Sequence, residues 1–362
     1  MFGIDAHNNR NFGLDLLRAL AIIFVVHGHG AFLLADTHLA FTTRMPMPDV
    51  VDIFFVLTGF LIGGAFLSYA EKQHRVDNQK VLRFYARTAL RILPNYYVVL
   101  IVYILLVNAG LVVGNTSAFP LWRFATFTQN LCTPFYDFYW ESWCLPVQWW
   151  FYILFPLMLL LFSKHFSVKK ITPIICLFFI ILSVCYRIAV ASHATNEFWW
   201  DVWVRKTVLS RFDCIYLGVL AAWVRHCFPE IWDRHAVKSF LLALVLLTIV
   251  IMLSREIGTL YKNVCYFTLQ AISIAMFLPF VTRIQSYRTF FGRFVTKISV
   301  LSYAMYLVNL MVVQLISNNF SDLFHQWGVW GYLLYWFIVL MASYLLYTLV
   351  ERPFAKIRAH IK

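Results

Sequence analysis

Ten stretches of this chain are long and apolar enough to cross a bilayer, or nearly so. They lie near residues 14–35, 50–70, 90–113, 146–163, 171–191, 207–224, 238–254, 263–282, 298–317 and 329–350. A helix needs about 20 apolar residues to span the hydrocarbon layer, and no run alternates polar and apolar residues as a barrel strand does. The 362 residues are 61% apolar and only 13% charged, where a soluble domain has about 25% charged residues. A soluble fold and a disordered chain are therefore both excluded. The expected fold is an all-α polytopic membrane protein with about ten transmembrane helices. No repeat, linker or low-complexity stretch divides it, so residues 1–362 read as one transmembrane domain without an added soluble one.

The net charge is +13. Lys and Arg sit in short loops, where they set orientation and meet anionic lipid; no basic run is long enough to read as a nucleic-acid tail. Counted at alternate ends of the ten runs, 22 Lys and Arg fall on the side of the N-terminus and 6 on the other. This asymmetry places both termini in the cytoplasm. The first apolar run is too long for a cleavable signal and reads as the first span. Seven cysteines show no metal spacing, and no metal site is expected. Cys132 and Cys144 share one connecting loop and could pair if it faces an oxidising compartment. The same loop, 114–145, is rich in aromatics, among them Phe119, Trp122 and Trp143. They read as an interfacial belt or as a surface that stacks on a sugar or lipid.

Ionisable groups inside spans are costly and point to function. In the first run Arg18 and His29 are eleven residues apart, within about 20° on a helix and roughly 16 Å along its axis. His27 and His29 are about 200° apart, so only one of them faces a given interior. Asp52 opens the second run at a depth similar to His29, where a carboxylate could fix an imidazole tautomer for general-base work. Arg87 and Arg91 share a helix face at the start of the third run. Glu351 closes the last run and could pair with Arg18 or Arg91. Arginines clustered at a pore mouth suit an anionic phosphate ligand.

Several strings carry a family resemblance: Leu14-Asp15-Leu16-Leu17-Arg18-Ala19 with His29; Val51-Asp52-Ile53-Phe54-Phe55-Val56-Leu57-Thr58-Gly59-Phe60; Phe84-Tyr85-Ala86-Arg87 through Arg91-Ile92-Leu93-Pro94; Arg211-Phe212-Asp213 with Leu217-Gly218; Ser302-Tyr303 with Tyr306-Leu307; and Glu351-Arg352-Pro353-Phe354. In this order and spacing they resemble the acyltransferase-3 family of integral membrane acyltransferases, nearly end to end. Four places depart from the pattern; one is Thr88, where a second basic residue is usual. Thr58 stands where Ser is usual. Trp143-Cys144-Leu145-Pro146-Val147-Gln148 stands where the family often has Trp-Ser-Leu-x-x-Glu, and Asn309 where a His is common.

The resemblance implies an O-acetyltransferase of surface polysaccharide or lipopolysaccharide in a bacterial inner membrane. Acetyl-CoA would donate from the cytoplasm, and a glycan or lipid-linked glycan hydroxyl at the periplasmic face would accept. His29 and Asp52 are the expected catalytic pair, with Arg18, Arg87, Arg91 and Glu351 around the coenzyme. Trp143, Gln148, Tyr152, Arg211 and Asp213 are expected near the acceptor. The chain ends twelve residues after the last span (351–362), so it is expected to act without a fused transfer domain. A homo-oligomer is compatible with the sequence. The rival class is a transporter or exporter of a glycolipid or small solute, since buried His, Asp, Arg and Glu also build proton relays.

Overall fold

The computed structural model describes residues 10–44, 47–73, 76–117, 120–254, 259–285 and 289–361, with the Arg44 side chain left out. Arg75, Phe119, Arg255, Arg288 and Lys362, used above, lie outside the described residues. The described chain is helical, without a strand. Its long helices are α1 (Phe12–Gly30), α2 (Val51–Gln73), α3 (Asn78–Asn108), α4 (Cys144–Phe162), α5 (Val168–Val190), α6 (Phe212–Cys227), α7 (Ala236–Leu253), α8 (Tyr266–Val281), α9 (Phe290–Asn319), α10 (Val329–Leu346) and α11 (Arg352–Ala359). A π-helical turn, Tyr347–Glu351, joins the last two.

Nine helical segments among the described residues are long and apolar enough to cross a membrane, not ten. The apolar run at 207–224 yields α6, only 16 residues. At 1.5 Å per residue it reaches roughly 24 Å, short of the ~30 Å hydrocarbon thickness. Its predicted first turn is lost because Asp201–Arg205 form a π-helical turn and Arg211 caps the helix in a non-helical conformation. The shortened helix is the most enclosed element, packed on α2, α5 and α8. The outer helices show the reverse pattern. Leu241, Leu242, Val245 and Met252 of α7 and Ile174, Leu177, Phe178 and Ile181 of α5 are exposed. Apolar side chains turned outward on closed helices are what a lipid solvent requires.

Lipid is as apolar as leucine, so close backbone approach has to hold such helices together. The α2–α6 crossing does so reciprocally. A Cβ on Gly59 would strike the Ile215 carbonyl, and one on Gly218 would strike the Val56 carbonyl. Gly218→Val is expected to cost about 1–3 kcal/mol through overpacking. The midpoint of heat-induced aggregation in detergent should fall; an unchanged midpoint would show that the crossing has slack.

The N-terminal end of α1 is pinned at three points. The Asn11 side chain accepts from the Leu14 amide at 3.1 Å and donates to the Thr282 carbonyl at 2.8 Å. Arg10 pairs with Asp15 (Nε to Oδ2, 2.8 Å) and donates to Ser299 of α9 at 3.1 Å. These contacts fix the rotation of α1 and hence the face on which Arg18 and His29 lie.

Much of the aromatic loop packs inward. Phe124, Phe127, Phe135, Phe138 and Tyr139 are buried against one another and against Tyr96 and Tyr103 of α3. Trp122 remains exposed. Tyr139 takes a left-handed conformation (φ 43°) and turns the chain into the short helix Trp140–Trp143 that precedes α4. Cys132 is exposed and Cys144 buried, and both are free thiols, so the pairing considered for them is not made.

Candidate active site

Four cavities follow one another through shared walls. The first, of about 700 Å³, is lined by Arg10, Asp15, Arg18, Arg225 and His226. The second, about 100 Å³, is lined by Arg18, Arg91, Cys144, Gln148, Tyr152 and Tyr306. The third, about 220 Å³, is lined by His29, Asp49, Trp140, Glu141, Trp143, Arg205, Lys206 and Tyr306. The fourth, about 350 Å³, includes Asp49, Trp200, Asp201, Arg205, Lys262 and Tyr266. Arg18 belongs to the first two, Tyr306 to the second and third, and Asp49 and Arg205 to the last two. The series runs along α1 from its N-terminal end to His29.

His29 is held by Asn309 of α9, whose Oδ1 faces the imidazole Nδ1. The Asn309 amide nitrogen donates to the Met305 carbonyl at 2.8 Å and the Tyr306 carbonyl at 2.7 Å. Its oxygen is thus the acceptor, and Nδ1 must carry the hydrogen. That leaves the Nε2 lone pair for a ligand, the arrangement a general base needs. His27 points elsewhere, as the helical angle requires, with Nδ1 2.8 Å from the Tyr332 hydroxyl.

Asp52 does not orient His29. Its carboxylate is fully buried, is bonded to Arg211, and accepts from the Gln270 amide at 2.7 Å. Asp52 stands in the first turn of α2, and its side chain meets Arg211 at the start of α6 and Gln270 of α8 rather than α1. Arg211 lies over the Phe267 ring at 3.5 Å. Asp213 pairs with Arg187 at 2.8 Å and accepts from Thr268 at 2.6 Å. Both residues expected near an acceptor therefore have buried protein partners.

On the arginine side, Arg18 and Arg91 meet at the second cavity. Arg87 instead donates from Nε and a terminal nitrogen to the Ile361 carbonyl at 3.0 and 2.6 Å, clamping α3 to the segment after α11. Glu351 accepts from Asn95 at 3.0 Å and forms no ion pair with Arg18 or Arg91. Gln148 accepts from the Tyr152 hydroxyl at 3.2 Å, and both line the second cavity, while Trp143 lines the third.

Reading the sequence missed four features. Tyr306 is the shared wall, and its hydroxyl donates to the Glu141 carbonyl at 2.7 Å. Asn309 was noted only as a departure from a pattern. Glu141 lay unremarked between tryptophans. Arg205 and Lys206 were counted only for orientation, yet they join Asp49 and Asp201 in one cluster, with Arg205–Asp49 at 2.6 Å, Arg205–Asp201 at 2.8 Å and Lys206–Asp201 at 2.5 Å. Burial alone would raise the Asp49 carboxyl, but Arg205 and Arg211 together hold it below its ordinary range. Burial pulls the Lys206 ammonium down to about 7 against the opposing pull of Asp201.

Comparison with known proteins gives the chain a family. A family model described as an acyltransferase domain, that of acyltransferase-3, matches residues 11–352. An uncharacterized protein of Haemophilus influenzae is 27% identical over 150 residues, 38% of this chain and 60% of that protein. The peptidoglycan O-acetyltransferase OatA of Listeria monocytogenes is 26% identical over 181 residues, 44% of this chain and 25% of OatA. The matched segments thus span less than two thirds of either relative. No solved structure matches. With its family match almost end to end, the chain belongs to the acyltransferase-3 family, and nine helical segments among its described residues are long and apolar enough to cross a membrane.

Proposed function

We propose that the chain transfers an acetyl group from acetyl-CoA to a glycan hydroxyl across a bacterial inner membrane. The observation that carries this reading is the line of cavities along α1, with arginines at one end and, at the other, an imidazole whose Nε2 has no partner among the described residues. The charge asymmetry of the loops supports placing the Arg10–Arg18 end, and both termini, in the cytoplasm. There the coenzyme's phosphates would meet Arg18 and Arg91 as charge-assisted hydrogen-bond donors. The pantetheine arm would extend along the α1 face, over the ~16 Å that separates Arg18 from His29.

At the far end His29 Nε2 takes the proton of the acceptor hydroxyl while its oxygen attacks the thioester carbonyl. The C–O bond forms, the C–S bond breaks, and the leaving thiolate takes up the proton from the His29 imidazolium, which returns the base to its neutral form. Asn309 keeps Nδ1–H in place as positive charge grows on the ring. The name of the Listeria relative, a peptidoglycan O-acetyltransferase, favours a glycan as acceptor; lipopolysaccharide sugars and related polysaccharides are of the same chemical class.

The test is release of free thiol from acetyl-CoA by membranes containing the chain, with and without host envelope glycan. Glycan-dependent release is expected, and its absence would overturn the reading in favour of transport. Arg18→Gln should raise the KM for acetyl-CoA by about tenfold or more, the loss of one hydrogen bond from a charged donor. An unchanged KM would remove Arg18 from the coenzyme site.

A further inference from the structure

We propose that the first cavity takes the adenosine end of coenzyme A and that Arg225 binds its 3′-phosphate. This rests on the acyl-transfer reading above and adds the group that tells acetyl-CoA from a donor lacking that phosphate. The cavity, about 700 Å³, falls within the ~300–1,000 Å³ of pockets that enclose small ligands. Arg10, Arg18, Arg225 and the carboxylate of Asp15 line it. Asp15 is satisfied within the protein, by Arg10 at 2.8 Å and by the Ser299 hydroxyl at 2.8 Å, so Arg10 and Asp15 cancel. His226, also in the wall, has Nε2 3.6 Å from Glu71. Arg225 stands exposed in the last turn of α6 and forms neither an ion pair nor a hydrogen bond among the described residues. Arg18 and Arg225 are thus the two cations of this cavity that no carboxylate holds.

The order of the cavities says which phosphate meets which arginine. Arg18 lies where the first and second cavities join. Coenzyme A carries its diphosphate between the pantetheine arm and the adenosine. An arm extended through the second cavity towards His29 therefore leaves the diphosphate at Arg18 and the adenosine behind it, in the first cavity. The anion still unmatched is the 3′-phosphate, and the cation still unmatched is Arg225. Its guanidinium is kept at the wall by Phe60 of α2, whose ring centroid is 5.7 Å away and which lines the same cavity. Phe60 is steadied in turn by stacking on Trp232, with centroids 5.8 Å apart. A guanidinium offers phosphate a planar fork of two parallel hydrogen bonds. A cation in the last turn of a helix also suits its dipole, but that contribution does not depend on which donor is bound.

The experiment uses membranes carrying the full chain at matched protein level, envelope glycan of the host, and two radiolabelled donors, acetyl-CoA and acetyl-3′-dephospho-CoA. In the parent the KM for the dephospho donor should be about tenfold higher or more, the loss of hydrogen bonds from a charged group. Arg225→Gln should raise the KM for acetyl-CoA to that level and leave the KM for the dephospho donor within twofold of the parent. Arg225→Lys, which keeps the charge without the fork, should restore part of the difference. Arg18→Gln should raise both KM values and keep their ratio. Adenosine 3′,5′-bisphosphate should compete with acetyl-CoA better than ADP does in the parent, and no better in Arg225→Gln. An equal rise of both KM values in Arg225→Gln, or loss of the ratio in Arg18→Gln instead, overturns the assignment. Equal KM values for the two donors in the parent overturn it too, whether or not the variants fold, and leave Arg225 to a lipid headgroup phosphate. Transfer from neither donor by the parent with glycan is a different result: it removes the acyl-transfer reading itself, and this inference with it.

Discussion

His29→Gln is expected to lower acetyl transfer by about 10²–10⁴-fold, the usual contribution of a positioned general base. Protein level and the KM for acetyl-CoA should stay near those of the parent, because the imidazole lies at the opposite end of the cavity series from Arg18. His27→Ala, two residues away, should keep most of the activity, since its ring meets Tyr332 rather than the cavity. Asn309→Leu should fall between them. It removes the acceptor that fixes the tautomer without removing the ring, so the pH profile should shift along with the rate. Transfer assayed in membranes at matched expression decides it. Full activity in His29→Gln would take the ring out of the chemistry.

The largest effect on stability is expected at Asp213. Arg187 and Asp213 are fully buried, and the guanidinium also donates to the Ser210 carbonyl at 2.6 Å, the Val264 carbonyl at 2.9 Å and Thr268 at 2.6 Å. Asp213→Leu strands that charge, and breaking a buried pair from one side costs about 3–5 kcal/mol. Folded protein in detergent extracts should largely disappear. Replacing both partners, Arg187→Met with Asp213→Leu, should recover most of it, because an apolar pair has no charge to desolvate. Recovery together with normal transfer per molecule would show the pair to be structural. If the double variant folds but cannot transfer, Asp213 has a second task near the acceptor.

The contrast between these two sites shows what the sequence could convey. Local periodicity placed Arg18 and His29 on one face and turned His27 away, because a helix fixes those angles within a single element. Apolar run length located the spanning helices. It overreached at 207–224, where residues 201–211 carry charges that are recruited into the cluster around Arg205 and shorten α6. Partnerships between elements were not legible. Asp52 was expected beside His29, and only the packing of α2 on α6 reveals Arg211 as its partner. Arg87 resembled a phosphate ligand until the Ile361 carbonyl was seen to occupy it. Glu141 had no periodic signal at all, since a left-handed turn at Tyr139 sets its direction.

One phenol ring, that of Tyr306, walls two chambers at once and is fastened by its hydroxyl to the backbone beneath Glu141. Such a partition cannot yield to one side without intruding on the other. Bulk admitted beside Cys144 is bulk denied beside His29, and a guest seated at either place alters the room left for its counterpart.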